Sequence, residues 1–153
     1  MTFGVLKRKC SRILKLLVDG LGVLFVAPVV LAVRILRPLV WIRFGYFTSD
    51  RIGHFAFDVE SYLTEKKIKR SKKTSIDLFF LSGKSANTYF AQMCRGSLIV
   101  QPAIEWLYRA NEILPFGSSH RILPSRVTSD SRDLGGLFNS IGAQLRFNDQ
   151  DNQ

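Results

Sequence analysis

The segment from Thr48 to Lys67 reads TSDRIGHFAFDVESYLTEKK, and it predicts a helix that directly follows a strand. Apolar residues recur in it with the three- and four-residue spacing of one helix face; they are Ile52, Phe55, Ala56, Val59, Tyr62 and Leu63. Asp50 is the expected N-cap, with Thr48 and Ser49 as close alternatives. The opposite face of the helix is polar, and it carries Arg51, His54, Asp58, Ser61 and Glu65.

The start of this helix is a candidate catalytic site. His54 and Asp58 lie four residues apart, so the carboxylate is placed to orient and charge the imidazole. Arg51 and Gly53 lie where free backbone N–H groups and the helix dipole attract anions. Such a group is suited to binding a phosphate or taking a proton from a hydroxyl. An ordinary solvated helix face is the alternative, because i, i+4 pairs are common on helices.

Around this helix, the hydrophobic pattern predicts alternating strands and helices. The expected strands are residues 38–47, 75–81 and 98–100, and the expected further helices are residues 86–94 and 104–114. We expect Gly45 to open the loop after the first strand, Ser85 to cap the second helix, and Ile113 to face inward on the third. Residues 118–132 are expected to form a loop, and residues 133–145 a short helix. The alternation indicates βαβ units, hence a partial Rossmann-like parallel sheet in the α/β class.

The first 37 residues are expected to associate with a membrane. Residues 3–17 have the pattern of a basic amphipathic helix, and residues 21–33 contain no polar side chain. As a helix, the apolar run is about 20 Å long, short of the ~30 Å hydrocarbon core, and Pro28 is expected to kink it. Two arrangements stay open: a re-entrant or in-plane segment, and a single span. Basic residues lie on both flanks of the apolar run, and the positive-inside rule places both flanks at the cytoplasmic face of the inner membrane.

The net charge of +10 is concentrated in two patches. Residues 1–43 hold +7 and residues 66–73 hold +6, which leaves −3 for the rest of the chain. This distribution favours anionic membrane lipids as a partner and argues against nucleic acid. The second patch supplies further candidates for binding head groups or phosphate, namely Lys66, Lys67, Lys69 and Arg70.

Several motif classes are missing from the sequence. It has no Walker loop, no G-x-G-x-x-G, no nucleophile elbow and no Cys/His set with metal-ligand spacing. We therefore expect neither a metal nor an organic cofactor. The two cysteines are far apart in sequence, so a disulfide framework is not expected.

Four stretches resemble a family of bacterial glycosyltransferases that have a GT-B-like architecture of two Rossmann domains. They are RIGHFAFDVESYL at residues 51–63, KKTSIDLFFLSGK at residues 72–84, LRPLVWIRFG at residues 36–45 and LIVQPAIEWLYRANEILP at residues 98–115. In GT-B enzymes an N-terminal acceptor domain is paired with a C-terminal nucleotide-sugar domain. A Gly-His at the first strand-to-helix turn resembles the acceptor side of lipid-linked transferases.

This resemblance implies the N-terminal, acceptor-side part of a membrane-associated glycosyltransferase, truncated or split from its donor domain. Residues 1–37 would associate with the membrane, residues 38–147 would form the acceptor-side domain, and residues 148–153 a polar tail. His54 is the expected base and Asp58 orients it. The expected partners are a lipid-linked or glycan acceptor and, only where a donor domain is supplied, a nucleotide-sugar. A non-catalytic membrane adaptor with a Rossmann-like domain is the alternative, because fold does not fix function.

Overall fold

The structure, a computed structural model, describes residues 20–68, 75–124, 133, 136 and 141–145. Within these residues it shows an α/β fold with a four-stranded parallel sheet, as the alternating pattern predicted. The strands are β1 (Trp41–Thr48), β2 (Ser75–Ser82), β3 (Ile99–Val100) and β4 (Arg121–Ile122). The helices are α1 (residues 20–35), α2 (Ile52–Ile68), α3 (Thr88–Ser97) and α4 (Ile104–Ile113), and a 3₁₀ helix spans Gly117–His120.

The strand order in the sheet is β3-β2-β1-β4, and every neighbouring pair is parallel. β2 and then β3 are therefore added on one side of β1, and β4 pairs with β1 on its other side. Right-handed crossovers place the helices before and after such a reversal on opposite faces of the sheet. This order matches the first four strands of the 3-2-1-4-5-6 order of a Rossmann-like, doubly wound sheet.

The sheet is covered on both faces, which explains why β2 is almost continuously apolar. The core under α2 and α3 consists of Phe47, Phe55, Val59, Tyr62, Phe79, Ala91, Cys94 and Val100. The core under α1 and α4 consists of Val33, Phe44, Phe80 and Ile104. Alternate residues of each strand point to opposite faces, so Phe44 and Phe47 enter different cores.

Gly45 lies inside β1, and the prediction that it opens the following loop is wrong. A Cβ built on Gly45 would lie 2.7 Å from the ring of Phe79 and 3.0 Å from Ile122. The missing side chain lets the Phe79 ring lie over the strand, where it stacks on Phe47 with centroids 4.6 Å apart. Close approach of another group is a usual reason for glycine within a strand.

Helix α1 is packed against the α/β unit. Val30 and Val33 are buried, and Gly22 lies against the ring of Trp106 on α4. The Arg34 guanidinium donates to the Asn111 side-chain oxygen at 3.2 Å and to carbonyl oxygens at the end of α4, namely those of Asn111, Leu114 and Pro115. These bonds satisfy carbonyls that a helix end leaves without partners. The end of α1 is thus held against the end of α4.

The described part of the chain contains no helix long and apolar enough to cross a bilayer. Residues 3–17, the predicted amphipathic helix, lie outside the described residues, as do residues 148–153 and, within 133–145, residues 134, 135 and 137–140.

Three local predictions are wrong. Asn87 caps α3, because its side chain accepts the Phe90 N–H at 3.0 Å, whereas Ser85 was expected in that role. Ile113 is exposed and does not face the core. Residues 121–122 form β4 within the stretch that was expected to be a loop.

We predict that Gly22→Ala loosens the packing of α1 on α4. The new Cβ would lie 2.5 Å from the Trp106 ring, and overpacking of this kind typically costs about 1–3 kcal/mol. Gly20→Ala is the matched control, because a Cβ there meets nothing within 4 Å. Urea unfolding in detergent, followed by tryptophan fluorescence, should show the first variant to be the less stable one. Equal unfolding midpoints for the two variants would contradict this packing.

Candidate functional site

The turn between β1 and α2 is fastened to the loop that follows β2. The buried Ser49 hydroxyl lies 3.2 Å from the Ser82 carbonyl oxygen and 3.3 Å from that of Gly83. The Ala86 N–H donates to the Ser49 carbonyl at 2.7 Å. These bonds hold two neighbouring loops together at the carboxyl edge of the sheet, where ligands bind in open α/β folds.

The beginning of α2 is open to solvent at this edge. Arg51 and Gly53 are exposed and His54 is half-buried. The Arg51 carbonyl accepts the Phe55 N–H at 2.9 Å, so the N–H groups before Phe55 have no earlier helical turn to which they could donate. A Cβ built on Gly53 meets nothing within 4 Å, which leaves room for a ligand to approach the backbone. Arg51, Gly53 and His54 thus lie next to one another at the beginning of α2.

Lys84 is a neighbouring basic residue that the sequence pattern did not single out. It is exposed and follows Gly83, whose φ of 88° forms the turn after β2. A Cβ built on Gly83 lies 3.7 Å from the Cβ of Asp50, so the two loops touch beside the site. Loops after adjacent parallel strands meet at one sheet edge, and this rule would have identified Lys84 from the Ser82-Gly83 turn signal.

Asp58 lies one turn after His54, and it is 0% exposed. The alternative of an ordinary solvated helix face does not hold for Asp58 and Ser61, since both are buried. Thr64 is also 0% exposed, although it follows Phe55 by about two and a half turns and therefore lies on the opposite side of α2. Both sides of α2 are thus covered. Residues 144 and 145 form part of the chain that covers α2, since their N–H groups donate to the Glu60 carboxylate at 2.8 and 2.9 Å.

The predicted phosphate-binding residues do not form one site. Lys66 and Lys67 lie at the last turn of α2, twelve residues or roughly 18 Å beyond His54. Lys67 is exposed, whereas the Lys66 ammonium lies 3.1 Å from Asp77 Oδ2. Lys69 and Arg70 lie outside the described residues. The basic run therefore begins near the amino edge of the sheet, and the candidate site lies at the carboxyl edge.

Asp77 is the centre of a buried polar cluster near the amino edge. It is paired in register with Arg43, whose Nε and Nη2 donate to its two oxygens at 2.7 and 3.0 Å. The Tyr62 hydroxyl donates to Asp77 Oδ2 at 2.5 Å, and Lys66 completes the cluster. Burial by itself raises the pKa of Asp77, but the hydrogen bonds from Arg43 and Tyr62 and the charge of Arg43 outweigh it and hold that pKa below its usual value. The carboxylate is therefore ionised at neutral pH.

His120 has a structural position. It is 2% exposed, and its Nδ1 lies 2.6 Å from the Ile42 carbonyl oxygen. A carbonyl oxygen can only accept, so Nδ1 carries the proton in this bond. His120 thereby fastens the end of the 3₁₀ helix to β1, and it does not reach the open turn at the carboxyl edge.

Other reactive groups are not arranged as sites in the described residues. Among them, no group of three His, Cys, Asp or Glu is placed to hold a metal ion. Cys94 is buried, and burial together with the charge of Glu60 raises the pKa of its thiol to about 12. The thiolate, which is the nucleophilic form, is therefore suppressed at neutral pH.

Comparison of the chain with family models, curated proteins and solved structures found no match.

Proposed function

We propose that this chain is the acceptor-side part of a membrane-associated glycosyltransferase. The observation that supports it is the open β1–α2 turn at the carboxyl edge of the sheet, where Arg51, Gly53 and His54 lie together. β1 is the strand on whose two sides the sheet order reverses, and ligands of open α/β sheets bind outside the carboxyl ends of such strands. The acceptor is a lipid-linked or glycan molecule at the cytoplasmic face of the inner membrane.

Each residue of the turn has a role in this reaction. His54 takes the proton from the acceptor hydroxyl as its oxygen bonds to the anomeric carbon of the donor sugar. The bond from that carbon to the nucleoside diphosphate breaks, and the diphosphate leaves with the electron pair. Arg51 and the N–H groups near Gly53 bind acceptor phosphate. Asp58 orients His54 from within the fold, and the nucleotide-sugar is held by a donor domain supplied separately.

The basic run has a separate role in this proposal, because α2 carries it away from the turn. Lys67, with Lys69 and Arg70 further along the sequence, contacts the head groups of anionic lipids, to which each basic residue near the surface contributes about 1 kcal/mol. The partner of Lys66 is Asp77, so Lys66 contributes less than Lys67 to lipid binding.

A non-catalytic membrane adaptor is the second candidate. The burial of Asp58 favours it, since a fully buried carboxylate is also what a purely structural residue would show. The two candidates differ in whether the turn binds an acceptor and whether His54 supports turnover.

Acceptor binding is tested with Arg51→Ala. We expect this variant to bind vesicles containing a polyisoprenyl diphosphate at least about tenfold more weakly than wild type, since hydrogen bonds to charged groups contribute about 1.5–3 kcal/mol. Vesicles with the corresponding polyisoprenol, which lacks phosphate, should bind both proteins alike. Arg95→Ala is the matched control, because Arg95 is exposed in the last turn of α3, at the other end of that helix from the carboxyl edge.

Gly53→Ala separates a binding role from a structural one. The added Cβ meets no neighbour, and alanine is the better helix former, so the free energy of unfolding should be unchanged or slightly higher. Weaker diphosphate binding with this variant would indicate that the acceptor approaches the backbone. If both Arg51→Ala and Gly53→Ala bind the two kinds of vesicle as wild type does, the turn is not an acceptor site.

A further inference from the structure

The outer face of α1 is a broad apolar surface. Its exposed side chains include Leu24, Phe25 and Ile35, with 71%, 87% and 78% of their surfaces accessible, and the apolar surface continues to Leu39 after the helix end. The remaining exposed apolar residues of this face are Leu21, Pro28, Val29, Leu31, Ala32 and Leu36. Soluble monomers rarely expose contiguous apolar patches of this kind without a binding role.

The corner between α4 and the 3₁₀ helix adds to this surface. Phe116 is 84% exposed and has a φ of 64°, which is uncommon for a non-glycine residue. The Ser119 hydroxyl donates to the Phe116 carbonyl oxygen at 3.0 Å, and the next residue, Gly117, packs so closely on the Asn111 backbone that a Cβ there would collide with it. Ile113, on the preceding turn, is also mostly exposed.

Arg34 joins the two parts of the surface. Its guanidinium reaches the carbonyl oxygens of Leu114 and Pro115, which directly precede Phe116. Arg34 thus turns inward and leaves its neighbour Ile35 pointing out. The exposed face of α1 and the Phe116 corner therefore lie next to each other at the end of α1.

The chemistry of this surface favours lipid over protein. Residues 20–39 contain no acidic residue, and Arg34 and Arg37 are the basic ones. With Arg34 turned inward, the face of α1 offers no side-chain hydrogen-bonding group, whereas protein interfaces form about one hydrogen bond per 100–200 Å². Arg37 follows the helix, and five Lys and Arg residues lie within residues 3–17, which matches the negative charge of a cytoplasmic leaflet.

We propose that α1 lies flat in the head-group boundary of an anionic bilayer, with Phe116 and Ile113 inserted beside its end. From Gly22 to Arg34, the inner face of α1 is packed against α4. If α1 spanned the bilayer, the polar backbone of α4 and of the sheet would therefore enter the hydrocarbon. The inference rests on the membrane location within the proposed function and is independent of sugar transfer.

The arrangement also orients the candidate site. Gly22 contacts the first turn of α4 and Arg34 contacts its end, so α1 and α4 run in the same direction, from the carboxyl edge of the sheet to its amino edge. A bilayer against α1 therefore runs alongside the sheet. The turn that carries His54 then lies at the sheet edge where α1 begins, on the face of the sheet opposite the bilayer.

Depth measurements test whether α1 lies flat. Phe25→Trp, Ile35→Trp and Phe116→Trp are each mixed with phosphatidylcholine and phosphatidylglycerol vesicles whose acyl chains carry bromine at different depths, and quenching is compared with that of Trp41 and Trp106 in wild type. We expect all three new tryptophans at one shallow depth. Positions 25 and 35 lie about 15 Å apart along the helix, so a depth difference of that size would establish a crossing helix and overturn the proposal.

Vesicle flotation tests whether the surface binds lipid. Phe25→Asp and Phe116→Asp should each lower the bound fraction on acceptor-free anionic vesicles, with the partition coefficient falling at least about tenfold. Ile52→Asp is the matched control and should bind normally, because Ile52 is a half-exposed isoleucine on α2, across the sheet.

Salt and mass measurements distinguish insertion into lipid from purely electrostatic adsorption and from self-association. Binding that survives high salt is expected, since basic patches alone are screened within ~8 Å at physiological ionic strength. A stable dimer in detergent-free solution that Phe25→Asp dissociates, combined with no flotation of wild type, would assign the face to a second copy and overturn the proposal. Normal flotation of wild type without any sugar transfer would contradict the proposed reaction alone.

Discussion

Replacing His54 with alanine is expected to lower sugar transfer by about 10²- to 10⁴-fold, the usual effect of removing a general base. Transfer is measured in membranes of cells that carry the substitution at the native locus, as incorporation of label from a panel of nucleotide-sugars into lipid extracts. His54 is half-buried in the first turn of α2, so its loss should change the free energy of unfolding by no more than about 0.5 kcal/mol.

Two controls make this result specific to base catalysis. Added imidazole should restore part of the activity of His54→Ala, which a structural role would not allow. Arg95→Ala should retain normal transfer. Near-normal turnover of His54→Ala would mean that the turn is an ordinary helix surface, and this would favour the adaptor. An unfolded variant would assign His54 a structural role.

Asp58→Asn should act on both activity and stability. It weakens the orientation of His54, so transfer should fall less than with His54→Ala. Because Asp58 is fully buried, this substitution should also lower the free energy of unfolding, by about 1–3 kcal/mol. A stability effect without any effect on transfer would leave Asp58 as a structural residue.

Asp77→Ala is expected to cause a large loss of stability. Removing one partner of a buried ion pair typically costs about 3–5 kcal/mol because it leaves an uncompensated charge. Arg43 is 26% and Lys66 47% exposed at their side chains, so water offsets part of this cost, and we expect about 2–4 kcal/mol. That is a large share of the roughly 5–15 kcal/mol that typically holds a domain together, and urea unfolding in detergent measures it.

The Asp77 cluster also predicts how stability depends on pH. Asp77 has a lowered pKa in the folded protein, so the folded state binds its proton less readily than the unfolded state. The contribution of the Asp77 carboxylate to the free energy of unfolding is complete at neutral pH and is lost as the pH falls below about 4. Wild type should therefore lose more stability than Asp77→Asn on acidification. Parallel pH curves for the two proteins would contradict the cluster's role.

Two variants compare the stabilisation from the Asp77 cluster with that from an ordinary surface ion pair. Tyr62→Phe removes one hydrogen bond to Asp77 and should cost about 1–2 kcal/mol. Glu105→Ala breaks the i, i+4 pair with Arg109 on the partly exposed side of α4, and it should cost no more than about 0.5 kcal/mol.

Much of the fold could be predicted from local sequence pattern, because each long element carries its own period. The apolar run 75–81 indicated a strand buried on both faces, and β2 has nearly those bounds. β4 was missed because it has only two residues, Arg121 and Ile122, and is held by pairing with β1, which local pattern does not reveal. Gly45 was misplaced because the ring it accommodates belongs to Phe79, 34 residues later.

The part of the candidate site that lies within one helical turn was predictable. The part that depends on contacts with residues far away in sequence was not. Arg51, Gly53 and His54 are neighbours in sequence, so their proximity follows from helix geometry. α2 is also contacted by residues more than 80 positions later, where Glu60 accepts the N–H groups of 144 and 145, and local pattern does not reveal such contacts. The separation of Lys66 from His54 follows from helix length and should have been expected.

Arg34 has a consequence for the order of events during synthesis. Its partners lie 77 to 81 residues further along the chain, and the ribosome makes the N-terminal part first. At roughly 5–20 residues per second, about 4–16 s pass between the translation of Arg34 and that of Pro115. During this interval both faces of α1 lack their final protein contacts. The nascent helix is then at its most apolar, and the bilayer is the surface it can meet before α4 exists.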